Sequence, residues 1–304
     1  MKQLFLILFS CILLTVNAQD WNIPKVGDGG WEVEQEFTLN KKRRNILLIS
    51  EASAYTVALV GLNQLWYADY PKSSFHFIND NEEWLQMDKM GHMSASYYTG
   101  VAGIKAYEWA GFSRKNAIWY GGMTGSIFLT VIEVLDGTSE QWGASSGDLI
   151  ANTTGSLLAI GQALKWNEQR IQLKYSYSPS NISAKNPEQL GSNHLERALK
   201  DYNGQTYWLT LNLKSLLQIE NPDFPSWLSL ALGYGADEMV NPYHEEGDAE
   251  RYRQFLMSFD VDLNKIKTKN KTLNSVLHTF GFLKFPTPAI QYTNGNIFFH
   301  PIYY

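Results

Sequence analysis

The sequence predicts an α+β protein, an antiparallel four-helix bundle followed by an antiparallel β-sheet or partial β-barrel. Two observations carry this. Between residues 45 and 166 the apolar residues form four long stretches without internal proline, and from Gln169 onward the apolar period changes from helical to two. A chain of 304 residues with 44% hydrophobic and 14% aromatic residues can bury one large core or two smaller ones. The division read from the sequence is a signal peptide over 1–19, an extended lead-in over 20–44, a helical domain over 45–166 and a β-rich domain over 167–304.

The first nineteen residues read as a secretory signal peptide: Lys2 is the charged start, Leu4 to Val16 the apolar middle, and Asn17-Ala18-Gln19 the cleavage end. Cys11, the only cysteine, lies inside that apolar run. A lipoprotein anchor closes with small residues before its cysteine, and Leu8-Phe9-Ser10 departs from that pattern, so lipidation at Cys11 stands as the alternative to cleavage near Ala18. Without Cys11 the mature chain has no thiol, which excludes disulfides, thiolate metal ligands and cysteine nucleophiles. Removing Lys2 takes the formal charge from -5 to -6 (-5 minus one positive charge), too mild a balance for a nucleic-acid partner.

Pro24 and Gly27-Asp28-Gly29-Gly30 mark the lead-in as turn-rich, and Glu32 to Leu39 reads as a strand. A basic tetrad, Lys41 to Arg44, precedes the first helix over Asn45 to Tyr67. Pro71 to Gln86, with His76, Glu82 and Glu83, has the length of a lid or binding loop. The second helix runs from Asp88 to about Ala110, stopped by Gly111; the third starts after Ser113 as N-cap and ends near Asp136-Gly137. The fourth starts at Ser145, whose spacing to Asp148 is a capping-box variant, and ends near Trp166. Short connectors make an antiparallel bundle the default. Ser96, Thr99, Gly103, Gly122, Ser126, Gly155 and Ala159 supply small positions for close helix approach. Asn116 to Leu135, with Glu133 as its single charge, is long enough to cross a bilayer and equally fits a buried core helix.

In the second half, alternating strands are expected at 171–177, 207–213, 228–234, 255–263 and 296–304, separated by Asn-Pro, Asn-Gly and Gly-Asp turn signals, with a short helix over 271–280. Ending on Tyr303-Tyr304 resembles the close of outer-membrane barrel strands, whereas Pro301 does not.

Chemistry-bearing residues concentrate in three motifs: Asp88-Lys89-x-x-His92, Glu133-x-x-Asp136, and Ser145-x-x-Asp148-x-x-x-Asn152. Residues four apart share a helix face, and an up-down bundle brings the start of the second helix, the end of the third and the start of the fourth to one end. Asp88, Lys89, His92, Glu133, Asp136, Ser145, Asp148 and Asn152 would then form one polar pocket beneath the connector carrying His76 and Glu83. Carboxylates with one imidazole suit a divalent cation, with Asp88, Asp136 and Asp148 as ligands, or a general base, with His92 or Glu133 in that role. The structural reading of the same residues is capping by Asp88 and Ser145 and a Glu133–His92 pair that only satisfies burial. His194, His244, His278 and His300 read as surface or strand residues, and residues 242–248 as a solvated acidic loop. No Gly-rich phosphate loop, nucleophile elbow or His-Glu-x-x-His occurs.

With Gly155 closing the last motif, this order resembles the predicted periplasmic lipoproteins of unknown function typified by YfiM of enteric bacteria, and is similar to the VanZ-like membrane domain. The resemblance covers about residues 45 to 165. It implies an envelope protein with a compact, lipid-associated helical domain and no settled activity. This chain departs from it in the residues before Cys11 and in its added β-rich half. The function expected is therefore an exported protein at the outer membrane or its periplasmic face, whose pocket takes a lipid headgroup. Two other readings are a cation-dependent hydrolase or transferase acting on a lipid-linked substrate, and a structural subunit with outer-membrane protein partners.

Overall fold

The structure is a computed structural model that describes residues 38–64 and 70–304. The signal-peptide stretch, Cys11, the lead-in to residue 37 and the last residues of the expected first helix lie outside the described residues.

Helix α1 (Lys41–Leu62) begins earlier than its apolar pattern, because the Asn40 side chain accepts the Arg43 N–H at 3.0 Å and draws the basic tetrad into the first turn. Helix α2 (Met87–Trp109) is followed by α3 (Arg114–Asp136), which starts at the Ser113 cap and passes through a π-turn at Ala117–Gly121. Helix α4 (Ser146–Trp166) starts at Ser145, whose hydroxyl accepts the Asp148 N–H at 3.1 Å.

Helices α2, α3 and α4 pack against one another without room for side chains at several positions. A Cβ at Gly155 would meet the backbone of Met93 and Tyr97, and one at Gly103 would meet the Gly121 carbonyl. Ser96 and Ser156 hydroxyls lie 2.8 Å apart across the α2–α4 seam, and the Ser126 N–H donates to Ser156 Oγ at 3.3 Å from α3. Helix α1 buries only Leu47, Ala58 and Leu62, the last two against Phe128, Leu129 and Ile132 of α3, and leaves Ile49 and Val57 about two-thirds exposed. Of the four helices expected to form the bundle, α2, α3 and α4 make the tight unit, and α1 lies along one side against α3. Helix α1 has the length and apolarity of a bundle member, but the tight glycine seams belong to the other three.

A two-residue parallel pairing joins β1 (Phe77–Ile78) to β2 (Ala144–Ser145), fixing the connector against the start of α4. The C-terminal half is a six-stranded antiparallel meander in chain order: β3 (Ile171–Tyr177), β4 (Gln205–Asn212), β5 (Leu228–Asp237), β6 (Tyr252–Val261), β7 (Thr287–Thr293) and β8 (Asn296–Tyr303). Strand β7 has no counterpart among the expected strands; its Pro288 and polar alternation hide it. Pro301 is tolerated because β8 is an edge strand. A helix over Lys271–Thr279 lies between β6 and β7.

The covered face of this sheet is mixed, with Trp208, Leu256 and Ala289 in an apolar cluster beside polar groups. Its buried face carries Lys174 and Asp260, fully buried and 2.6 Å apart, together with Ser229, Ala231, Ser258, Gln291 and Thr293. Its outward face carries registered rows such as Leu173, Leu209, Leu232, Met257, Ile290 and Phe299, and next to it Tyr175, Tyr207, Tyr234, Phe255, Tyr292 and Ile297. On β3 and β4 these rows pack on the helices, with Leu173 against Tyr97 and Ile160 and with Tyr207 against Trp84 and Met87. On β5 to β8 they are open, except at Tyr234, which packs beside Trp84 and Met87. Tyr303 of β8 reaches Trp208 of β4 edge-on at 5.7 Å and Thr206 Oγ1 at 2.9 Å. Four strand spacings would separate those strands by about 19 Å in a flat sheet. The sheet is rolled, with this mixed face concave.

Candidate functional site

A cavity of about 220 Å³ opens where α2 and α4 begin and α3 ends, lined by Ile78, Asp80, Glu83, Trp84, Asp88, His92, Glu133, Asp136, Trp142, Gly143, Ser145, Asp148 and Tyr202. Lys89 and Asn152 bond to its walls. The structure thus brings together Asp88, Lys89, His92, Glu133, Asp136, Ser145, Asp148 and Asn152. Glu83 joins them, whereas His76 turns to Ser73 and Ser74 outside the cavity.

Asp88 is not the cap of α2. The capping position is Gln86, which with Trp84 and Leu85 forms three successive non-glycine residues at positive φ (48°, 48° and 67°). Each costs on the order of 1–2 kcal/mol and needs outside support. Trp84 N–H donates to Pro242 O at 2.9 Å, Tyr234 OH donates to Leu85 O, and Arg253 Nη2 donates to Gln86 Oε1 at 2.8 Å. The β-rich half therefore clamps the turn that aims Asp88, and Tyr202 OH donates to Asp88 Oδ1 at 2.7 Å.

His92, fully inside the protein, has Nδ1 3.0 Å from Asn152 Oδ1. An amide oxygen only accepts, so Nδ1 carries the proton and Nε2 faces Asp88 Oδ2 at 3.8 Å and Asp148 Oδ2 at 3.9 Å. Lys89 Nζ sits 2.6 Å from Asp80 Oδ2, 3.1 Å from Asp148 Oδ1 and 3.6 Å from Asp88 Oδ2. Ser145 ties three walls together: its hydroxyl donates to Asp80 Oδ1, its cap receives Asp148 N–H, and its own N–H donates to Glu133 Oε2 at 2.9 Å. Glu133 thus spends an oxygen on the start of α4, a different role from the Glu133–His92 pairing.

Six carboxyl groups, Asp80, Glu83, Asp88, Glu133, Asp136 and Asp148, face this cavity, while Lys89 and His92 are the cations bonded to them. Burial pushes the Glu133 carboxyl up to about 7 and that of Glu83 to about 7. Burial, aided by the Asp88 charge and opposed by His92 and Lys89, pushes Asp148 up to about 6. Burial by itself would lower His92, but Asp148, Asp88 and Glu133 outweigh it and hold its imidazolium above the ordinary range. The negative charge is thus only partly matched by fixed cations.

One ligand-capable atom from each of Asp88, His92 and Asp148 lies within 4.8 Å of the others. Those separations accommodate one ion at about 2.1–2.5 Å from each. Asp136 lines the cavity but is outside this trio, so the geometry puts His92 where the sequence pattern suggested Asp136. Asp80, Trp84, Trp142 and Tyr202 went unnoticed in the sequence: Asp80 sits in an Asn-Asp-Asn tract without helical spacing, and Tyr202 lies 114 positions from Asp88.

Residues 75–162 match a family model described as "Predicted periplasmic lipoprotein (DUF2279)". The matched stretch runs from just before β1 almost to the end of α4 and includes every residue lining the cavity except Tyr202 of the β-rich half. The chain is in this respect similar to an uncharacterised family of exported envelope proteins. No curated protein and no solved structure matches it.

Proposed function

We propose that the chain is an exported envelope protein of the outer membrane whose pocket binds a divalent cation and, through it, the phosphate of a lipid headgroup. The observation that carries this reading is the trio Asp88, His92 and Asp148, with His92 oriented by Asn152 and Asp88 by Tyr202. A metal-binding imidazole ordinarily has its second nitrogen fixed by such a partner. A cation would also balance a buried excess of carboxylate that protons otherwise neutralise. The starts of α2 and α4 meet at the cavity with Lys89 between them, which favours an added phosphate.

A second reading, hydrolysis or transfer at that phosphate, is favoured by Glu133. A carboxyl held near 7 is matched to accepting a proton at neutral pH.

Metal content of the purified protein and titration with Mn²⁺ test the proposal. Near-stoichiometric binding, weakened at least tenfold by Asp148→Asn and unchanged by Asp223→Asn in the exposed loop after β4, is the expected result. Absence of binding, with no thermal shift at saturating Mn²⁺ or Zn²⁺, would overturn it. Release of phosphate from a lipid phosphate monoester, lost in Glu133→Gln, would favour the second reading.

A further inference from the structure

The rolled sheet presents to the outside what a sheet in water hides. On β5 to β8 the open outward positions include Leu232, Phe255, Met257, Phe259, Ile290 and Phe299, between 42% and 67% exposed, with no charged residue among them. The concave side holds the charges and amides beside the Trp208–Leu256–Ala289 cluster: Lys174 with Asp260, Gln172 with Asp262 at 2.8 Å, and Gln291 with His300 at 2.8 Å. Folding in water leaves few large apolar side chains side by side on an open face, and a continuous apolar outward face with the charged groups inside is the arrangement of sheets that face hydrocarbon.

We infer that the convex face of β5 to β8 is seated in one leaflet of a lipid bilayer. This deepens the outer-membrane part of the proposed function and is independent of what the pocket binds. Shape favours lipid over a second copy of the chain. The Tyr303–Trp208 contact makes the face convex, and two convex faces meet along a line, whereas a fluid leaflet conforms. The border of the patch has interfacial character: Arg253, two residues before Phe255 on the same face, is exposed, and the half-exposed Tyr292 occupies the same registered row as Phe255. Among the described residues the β8 edge is open, and an unpaired strand edge must keep to water and headgroups, so only the outward side chains enter the leaflet and the sheet does not cross it. That row runs through Tyr207, which packs with Trp84 at the pocket wall, so the pocket lies at the end of the sheet where headgroups would be.

The test uses the full chain with Cys11→Ser, which removes any acyl anchor, and a single Met257→Cys carrying an environment-sensitive fluorophore. A companion protein carries the probe at Glu246→Cys in the acidic loop. Vesicles of phosphatidylethanolamine and phosphatidylglycerol are prepared with and without lipids bearing a nitroxide on the acyl chain. The expected result is quenching of the 257 probe by the nitroxide and protection from aqueous iodide, with the reverse at 246. In addition, with a chelator present to empty the pocket, Phe259→Glu should reduce vesicle binding at least tenfold while its circular dichroism remains native, and Asp223→Asn, in the exposed loop after β4, should leave binding unchanged. A 257 probe open to iodide in vesicle-bound protein would overturn the inference. So would a 257 probe protected from iodide but not quenched by the nitroxide in a protein of dimer mass, because the face would then lie between copies.

Discussion

Within the pocket, titration follows from which state holds more protons. Glu133 and Asp148 have ordinary carboxyl values of 4.5 and 3.8 when unfolded and about 7 and 6 when folded, so between those limits the native protein keeps protons that the unfolded chain has lost. His92 is also raised, and its stabilising charge is present below its ordinary value of 6.5 and lost as pH rises through its folded value. All three act in one direction: with a chelator present, stability should fall as pH rises from about 5 to 8. Glu133→Gln removes one of the three and should flatten the decline by about 1–3 kcal/mol, read from urea melts across that range. A decline of the same slope in that variant would show that Glu133 titrates normally.

At the scale of the elements, the helical unit depends on backbone contact. Gly155 leaves no space between α4 and the Met93–Tyr97 turn of α2, and Gly103 lies against Gly121. Gly155→Val should therefore cost several kcal/mol or prevent folding, whereas Gly161→Ala, with open space around its position, should be neutral or slightly stabilising in thermal melts. These seams were visible in the sequence as small residues at helical spacing, as were the helices, their Ser113 and Ser145 caps, and five of the six strands of the sheet. The place of α1 was not, because an apolar helix that flanks a unit has the same pattern as one inside it. The strained Trp84-Leu85-Gln86 turn was also hidden. Nothing local calls for positive φ there; the restraints come from Pro242, Tyr234 and Arg253 in the other half of the chain. For the same reason the motif spacing put Asp88, His92, Asp136 and Asp148 at one end of the helices, with Asp136 in place of His92 among the ion's ligands, and did not point to Tyr202, whose partnership with Asp88 exists only after the halves dock.

Across the whole molecule, the two halves meet where the chemistry is concentrated. The start of α2 carries Asp88 and His92 into the cavity, and the sheet fixes that start through Tyr234, Arg253 and Tyr202. Arg253→Ala should thus loosen the pocket without touching it, weakening Mn²⁺ binding by roughly threefold to tenfold (about 0.6–1.4 kcal/mol) while leaving the sheet folded. If the inferred seating holds, the rolled sheet would hold the cavity at the headgroup level, in keeping with the similarity of residues 75–162 to a predicted periplasmic lipoprotein family. The central claim is that one ion is shared by a single imidazole and two carboxylates drawn from two helices. Pulsed electron paramagnetic resonance of the Mn²⁺-loaded protein reads this directly. The account predicts coupling to one imidazole nitrogen, abolished in His92→Gln and altered in Asp148→Asn. A spectrum without nitrogen coupling, or one unchanged by His92→Gln, would contradict it.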